Sequence, residues 1–118
     1  PTWWTPIYLE LSCQKIFFIT DKGNRVRVDI RKEAEIDDTY ARPRARTIYY
    51  EYSCNEPGKD TLIRYCGPDP DYDPKKHPPH HDRHHRHDFT SGKEIITPIE
   101  SDAWPHVSDF FDEVLKSF

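Results

Sequence analysis

Prolines decide most of what this chain cannot be. Eleven stand among 118 residues, against four glycines. Five of them, Pro68, Pro70, Pro74, Pro78 and Pro79, fall within 67–79. Each lacks the amide that a helix interior or a central strand needs. That segment reads as loop or polyproline-like backbone, and long helices are unavailable over most of the chain. The flanking segments must therefore build the fold. Their length suits a single domain over 1–118, able to bury roughly two-thirds of its unfolded surface. Only 35% of residues are hydrophobic and the mean hydropathy is −0.94, yet aromatics reach 14%. A disordered chain would be poor in such rings. The core is expected to be small and aromatic-rich.

The first half reads as strands. Ile7, Leu9 and Leu11 alternate with polar neighbours, and Lys15 to Thr20 is a second short run of branched and aromatic residues. Asp21-Lys22-Gly23-Asn24 is a turn signal. Val26, Val28 and Ile30 then alternate with Arg25, Arg27, Asp29 and Arg31. The polar stretch 33–43 ends in Pro43 and reads as a loop or frayed strand end. Arg44 to Ser53 is a strand with Ile48, Tyr50 and Tyr52 on one face and Thr47, Tyr49 and Glu51 on the other. It turns through Asn55-Glu56-Pro57-Gly58 and returns as Thr61 to Cys66, a hairpin. Lys93 to Thr97 is a further short strand, after a His/Pro-rich loop over 67–88.

One helix is predicted, over about 105–117. Val107, Phe110, Phe111, Val114, Leu115 and Phe118 fall at helical spacing, and Pro105 suits the first turn. Asp109, Asp112 and Glu113 precede Lys116, which complements the helix dipole. The expected fold is α+β: an antiparallel sheet of four to six strands with one C-terminal amphipathic helix packed on it.

Cys13, Cys54 and Cys66 are odd in number and lack C-x-x-C spacing, so no disulfide framework is expected. A regular hairpin would set Cys54 opposite Thr61 and Cys66 opposite Tyr49, too far apart to bridge. No apolar run nears the roughly 20 residues of a membrane span, and no signal peptide is visible. These features predict a cytoplasmic protein without a membrane partner. The net charge of −4 gives no global nucleic-acid footprint.

The chemistry concentrates in His77 to Asp88, HPPHHDRHHRHD, which holds six of the seven histidines. Three uses compete. Imidazoles can ligate zinc: His80/His84 and His81/His85 are spaced for one helix face, and His85/His87 for one strand face. The metal set read here is His85 and His87 with His81 or His84, although the cysteines are remote in sequence. Alternatively His84, His85 and His87 supply acid–base groups, with Tyr65 as a hydroxyl and Arg64, Arg83 and Arg86 stabilising phosphate charge. The third use is a solvated loop in which the histidines merely cluster. A basic stripe adds to the second use. Arg25, Arg27 and Arg31 share one strand face and Arg42, Arg44 and Arg46 another, and together they could line a phosphate-binding surface. A solvated sheet face interleaved with Asp29, Glu33 and Glu51 fits the same pattern.

The order of motifs resembles a known family. Tyr49-Tyr50-Glu51-Tyr52, then Leu62-Ile63-Arg64-Tyr65, then the loop closing in His84-His85-Arg86-His87 and an acidic amphipathic tail are similar to TumE-type toxins of prokaryotic type II toxin–antitoxin pairs. The likeness covers about residues 24–118. It departs at Cys66-Gly67, where the family pattern has Asp-Asn; Asp69, Asp71 or Asp73 are the carboxylates available to substitute. The resemblance implies a toxin with a small cognate antitoxin as partner and, by analogy, a ribonuclease-like action on RNA; an oligomer is compatible with the sequence. That chemistry requires no cofactor. The other function class is a non-enzymatic module that binds a divalent transition metal such as zinc, or a protein, through the same loop.

Overall fold

The computed structural model describes residues 7–37, 42, 44–69 and 71–118. Six strands follow one another: β1 (Ile7–Ile19), β2 (Arg25–Asp37), β3 (Arg44–Asn55), β4 (Thr61–Cys66), β5 (His85–Asp88) and β6 (Ile95–Pro98). A short 3-10 turn (Pro79–Asp82) precedes β5, and one helix, α1 (Val107–Ser117), closes the chain. Among the described residues the strands pair with their sequence neighbours, antiparallel throughout, in the order β1-β2-β3-β4-β5-β6. This is the expected α+β architecture of a sheet with one C-terminal helix. Among the described residues no helix is long and apolar enough to cross a membrane.

Strand alternation gives the sheet two faces of different character. Val26, Val28, Ile30, Tyr50, Tyr52, Cys54, Ile63 and Tyr65 are buried on one face, and Phe110 and Val114 of α1 pack on them. Tyr52 and Tyr65 both contact the Phe110 ring, at centroid distances of 5.6 and 5.9 Å. The β1–β2 turn holds the far end of the helix. Asp21 N–H donates to Leu115 O at 2.8 Å and Asn24 Nδ2 to Phe118 O at 2.6 Å, satisfying carbonyls that a helix end leaves unpaired. At the other end His106 is the N-cap, and its amide donates to Asp109 Oδ2 at 3.1 Å. Pro105 therefore precedes the helix and does not sit in its first turn.

Other boundaries, and one register, also differ from expectation. The run Ile7 to Leu11 and the run Lys15 to Thr20 are one strand, joined by a bulge between Cys13 and Ile16. Lys15 takes φ 58° there, and its amide bonds Asp29 Oδ1 at 2.8 Å. The stretch expected to fray at Glu33 continues as β2 to Asp37, because β1 and β3 pair with it on both sides. Ladder pairing outweighs its polar composition; residues 38–41 and 43 lie outside the described set. The β3–β4 hairpin has a bulge between Cys54 and Asn55, so Cys54 faces Ile63 and Cys66 faces Glu51. All three thiols are free, as expected. Finally, the loop expected over 67–88 ends earlier, since His85–Asp88 is strand β5 paired with β4. Gly67 opens that loop in a tight place: a Cβ there would lie 3.0 Å from the Tyr50 ring.

Candidate metal centre

The register of β4 against β5 builds the site. Cys66 stands opposite His85 and Arg64 opposite His87. The two histidines are spaced i, i+2, so both point to the sheet face away from the helix. There they are almost fully buried, His85 at 2% and His87 at 3% exposed, beside Cys66 at 7%. The ligand atoms of Cys66, His85 and His87 all lie within 4.8 Å of one another. Tetrahedral zinc holds sulfur and nitrogen ligands at ~3.5 Å separation, from bond lengths of about 2.3 and 2.0–2.1 Å. Closing this set on an ion requires pairs of ligand atoms to approach by at most about 1.5 Å.

Each imidazole is already oriented. His85 Nδ1 lies 2.8 Å from the Arg83 carbonyl, which can only accept, so Nδ1 carries the proton. His85 Nε2 is then a lone pair, buried, with no hydrogen-bond partner among the described residues. His87 Nδ1 lies 2.7 Å from Glu94 Oε1, which likewise leaves Nε2 as the ligand nitrogen. Carbonyl and carboxylate partners of this kind fix ligand tautomers in metal sites. Burial holds both rings neutral: it lowers the His85 pKa to about 4, against the opposing pull of the Arg83 carbonyl. It also lowers that of His87, against Glu94. The His87–Glu94 contact is thus a hydrogen bond from a neutral ring. Burial and the nearby Glu51 push the Cys66 thiol up to about 11, while Arg64 and Tyr49 pull the other way. A thiol so raised is no free nucleophile at neutral pH, but a metal ion would displace its proton.

A second group adjoins the first. His80, His81 and His85 also bring ligand atoms within 4.8 Å of one another. His80 and His81 come from the 3-10 turn, where the prolines at 78 and 79 start a single tight turn that sets the rings edge to face, 4.5 Å apart. Both groups border a cleft of about 440 Å³ lined by Arg31, Tyr49, Glu51, Arg64, Asp69 and His81, among others.

The residues read as functional from sequence are divided between the two faces. His85, His87 and Arg64 share the cleft face. His84 does not: it stacks on Trp104 on the helix side, and its Nδ1 lies 3.0 Å from the Tyr50 hydroxyl. His84 belongs to neither ligand group, which corrects its place in the expected metal set; His81 belongs to the second. Tyr65 and Arg86 also lie on the helix side. The Tyr65 hydroxyl donates to Glu113 Oε2 at 2.7 Å, and Arg86 bonds Glu113 at 3.1 Å and Asp88 at 3.1 Å. A catalytic set joining Tyr65 to His85 and His87 would have to reach through the sheet. Arg83 is exposed and bonds Asp82 at 2.8 Å.

The basic stripe does not gather into one patch either. Arg27 pairs in register with Asn55, whereas Arg44 pairs with Asp37 at the other end of β2. Those positions are ten residues apart, about 33 Å along a strand. Carboxylates also neutralise the row: Arg27 pairs with Asp29, Arg31 with Glu33 and Glu10, and Arg46 with Glu35. Arg25 covers the Phe17 ring at 4.4 Å.

Sequence reasoning missed Cys66 and Glu94 as members of the site, and it paired His80 by spacing with His84 but left it out of the metal set. Cys66 lies 19 residues before His85, and only the β4–β5 register unites them. The usable signal was a strand ending in cysteine, followed by a strand-spaced His-x-His pair. Comparison of the chain with protein-family models, with curated proteins and with solved structures finds no match. The likeness to TumE-type toxins therefore rests on the quoted motifs alone.

Proposed function

We propose that this chain is a metal-binding domain that holds a zinc ion on Cys66, His85 and His87. One observation carries the reading: a buried imidazole nitrogen without a partner among the described residues, on a ring whose other nitrogen is fixed by a carbonyl, beside a second fixed imidazole and a buried thiol. Thiolate and imidazole donors select zinc or copper over calcium and magnesium. Three protein ligands would leave one position of a tetrahedral ion for water or a substrate atom. The test is metal analysis of chain purified without a nickel resin. One equivalent of zinc, lost in Cys66→Ser and in a His85→Ala/His87→Ala double variant, supports the centre. Metal-free protein whose melting temperature ignores added zinc refutes it.

A second reading, a toxin acting on RNA, is favoured by one observation. Arg64 stands opposite His87 in the cleft, with its buried Nε unpartnered among the described residues, a position suited to a phosphate oxygen. The antitoxin partner and the RNA substrate in that reading come from the resemblance. Growth arrest on expression, relieved by Arg64→Ala and by His87→Ala, supports it. Continued growth with abundant soluble chain refutes it.

A further inference from the structure

The two ligand groups share a single residue, and that residue has a single lone pair to give. His85 belongs to the buried group with Cys66 and His87 and to the outer group with His80 and His81. Its Nδ1 is committed to the Arg83 carbonyl, so only Nε2 can bind an ion. The groups therefore cannot both be complete at once. They also differ in access. Cys66, His85 and His87 are buried, whereas His80 and His81 are half-exposed on a one-turn segment. The rings form a short track: His80 lies 5.0 Å from His85 and 5.5 Å from His87, and His85 lies 4.8 Å from His87. The donors differ in strength as well. The outer group is all imidazole, while the inner group adds a thiolate, the softer ligand that zinc and copper(I) prefer.

Resting on the metal centre proposed above, we infer that His80 and His81 are its loading position. A divalent transition-metal ion is captured from solution by His80, His81 and His85. It then passes, through the shared His85, to the buried set with Cys66 and His87. The transfer is a ligand exchange without redox change: two imidazole bonds to the ion break, one imidazole and one thiolate bond form, and the thiol proton goes to solvent. His85 stays attached throughout, so the ion need never be released. In the adjoining cleft the carboxylates of Glu33, Glu51, Asp69 and Asp71 outnumber the guanidinium groups of Arg31 and Arg64, a balance that favours a cation along this route.

Cobalt(II) added to the full chain in a stopped-flow mixer tests the order of events. Cobalt bound only to imidazole shows weak ligand-field absorption, and cobalt bound to thiolate adds an intense near-ultraviolet charge-transfer band. The intact chain should show the ligand-field signal first and the charge-transfer band second, with one equivalent bound at completion. In a His80→Asn/His81→Asn variant the early phase should be lost and the charge-transfer band should rise more slowly to the same final amplitude. Circular dichroism of that variant checks the fold, and each single variant should slow the band by less. Loading of the double variant at the intact rate would overturn the inference. So would a loss of final amplitude or affinity, which would make His80 or His81 a permanent ligand. Two equivalents bound at completion would make the groups independent sites. If the intact chain never develops the charge-transfer band, the Cys66 centre itself fails, an outcome distinct from a band that forms without the early phase.

Discussion

Glu94 touches no metal ligand atom in the proposed centre, yet it should set the affinity of that centre. Its Oε1 lies 2.7 Å from His87 Nδ1, a short hydrogen bond to an ionised acceptor. Two effects follow from the contact. It fixes the ring so that Nε2 faces the site, and it raises the basicity of that nitrogen. Removing such partners typically costs 10–100-fold in metal affinity, or roughly 1.4–2.7 kcal/mol. Here the lower end applies. The Glu94 side chain is 45% exposed while that of His87 is 4%, so water can replace the carboxylate at Nδ1 once it is gone. Glu94→Ala should therefore weaken zinc binding about tenfold. Glu94→Gln, which keeps an acceptor oxygen but loses the charge, should fall between.

The assay is competition for zinc against a chromophoric chelator at neutral pH. Because Glu94 is half exposed, stability of the metal-free variants should stay within about 0.5 kcal/mol of the parent chain in urea unfolding. That control separates an effect on the site from an effect on the fold. Zinc affinity unchanged in Glu94→Ala, in a chain where His87→Ala abolishes binding, would refute the reasoning. The ring would then be held by packing alone, and the carboxylate would be a bystander.

Other outcomes follow from the opposite face. Tyr52 is fully buried and its hydroxyl has no partner among the described residues; Tyr52→Phe should raise the free energy of unfolding by ~1 kcal/mol, read from urea midpoints. Burial also raises the pKa of Tyr52 to about 12, so the folded chain keeps a proton that the unfolded chain loses near pH 10. Its contribution is full below about pH 10 and is lost as pH rises to about 12, a slope of about 1.4 kcal/mol per pH unit that Tyr52→Phe should remove from alkaline unfolding curves. Glu113→Ala deletes the acceptor for Tyr65 and Arg86 and should cost ~2–3 kcal/mol, without changing zinc affinity. Zinc retention should fall in acid, since protons compete for imidazole and thiolate alike; dialysis at graded pH reads it directly.

The architecture was legible because each element carried its own periodicity. Val26, Val28 and Ile30 announce a strand, and Val107, Phe110, Phe111 and Val114 announce a helix, whatever lies around them. Boundaries were lost where partners decide them. Glu33 to Asp37 has the composition of a loop, but β1 and β3 supply ladder hydrogen bonds on both sides. Lys15 in a left-handed conformation is likewise a property of the bulge it sits in, not of lysine. His85 and His87 could be placed on one strand face from spacing alone. The same alternation separates His84 and Arg86 from them only once the segment is known to be strand and not the loop its composition suggests; Tyr65 lies in another strand, and its side relative to them needs the β4–β5 register.

That sidedness is what gives the metal reading its force. One-residue alternation from His84, just before β5, through His87 sends His85 and His87 to the cleft face, and His84 and Arg86 to the helix face, where they serve packing. His84 lies against Tyr50 and Trp104, and Arg86 is locked to Glu113 and Asp88. Both pairs are half-buried or buried; His84 bonds the Tyr50 hydroxyl and Arg86 bonds Glu113 and Asp88. On the cleft face the lone pair of His85 Nε2 is buried without a donor among the described residues, and the Cys66 thiol is buried beside it. A buried polar atom without a partner typically costs about 1–3 kcal/mol. A merely structural histidine at this position would gain by becoming an apolar residue of similar size. Retaining two oriented imidazoles and a thiol at that cost is reasonable if an ion completes them. The same logic yields a direct comparison: His85→Phe in the metal-free chain should match or exceed the parent in stability, while abolishing the zinc-dependent rise in melting temperature. Destabilisation of the metal-free chain by His85→Phe would show that the imidazole serves the fold, and the case for the centre would then have to rest on the metal analysis alone.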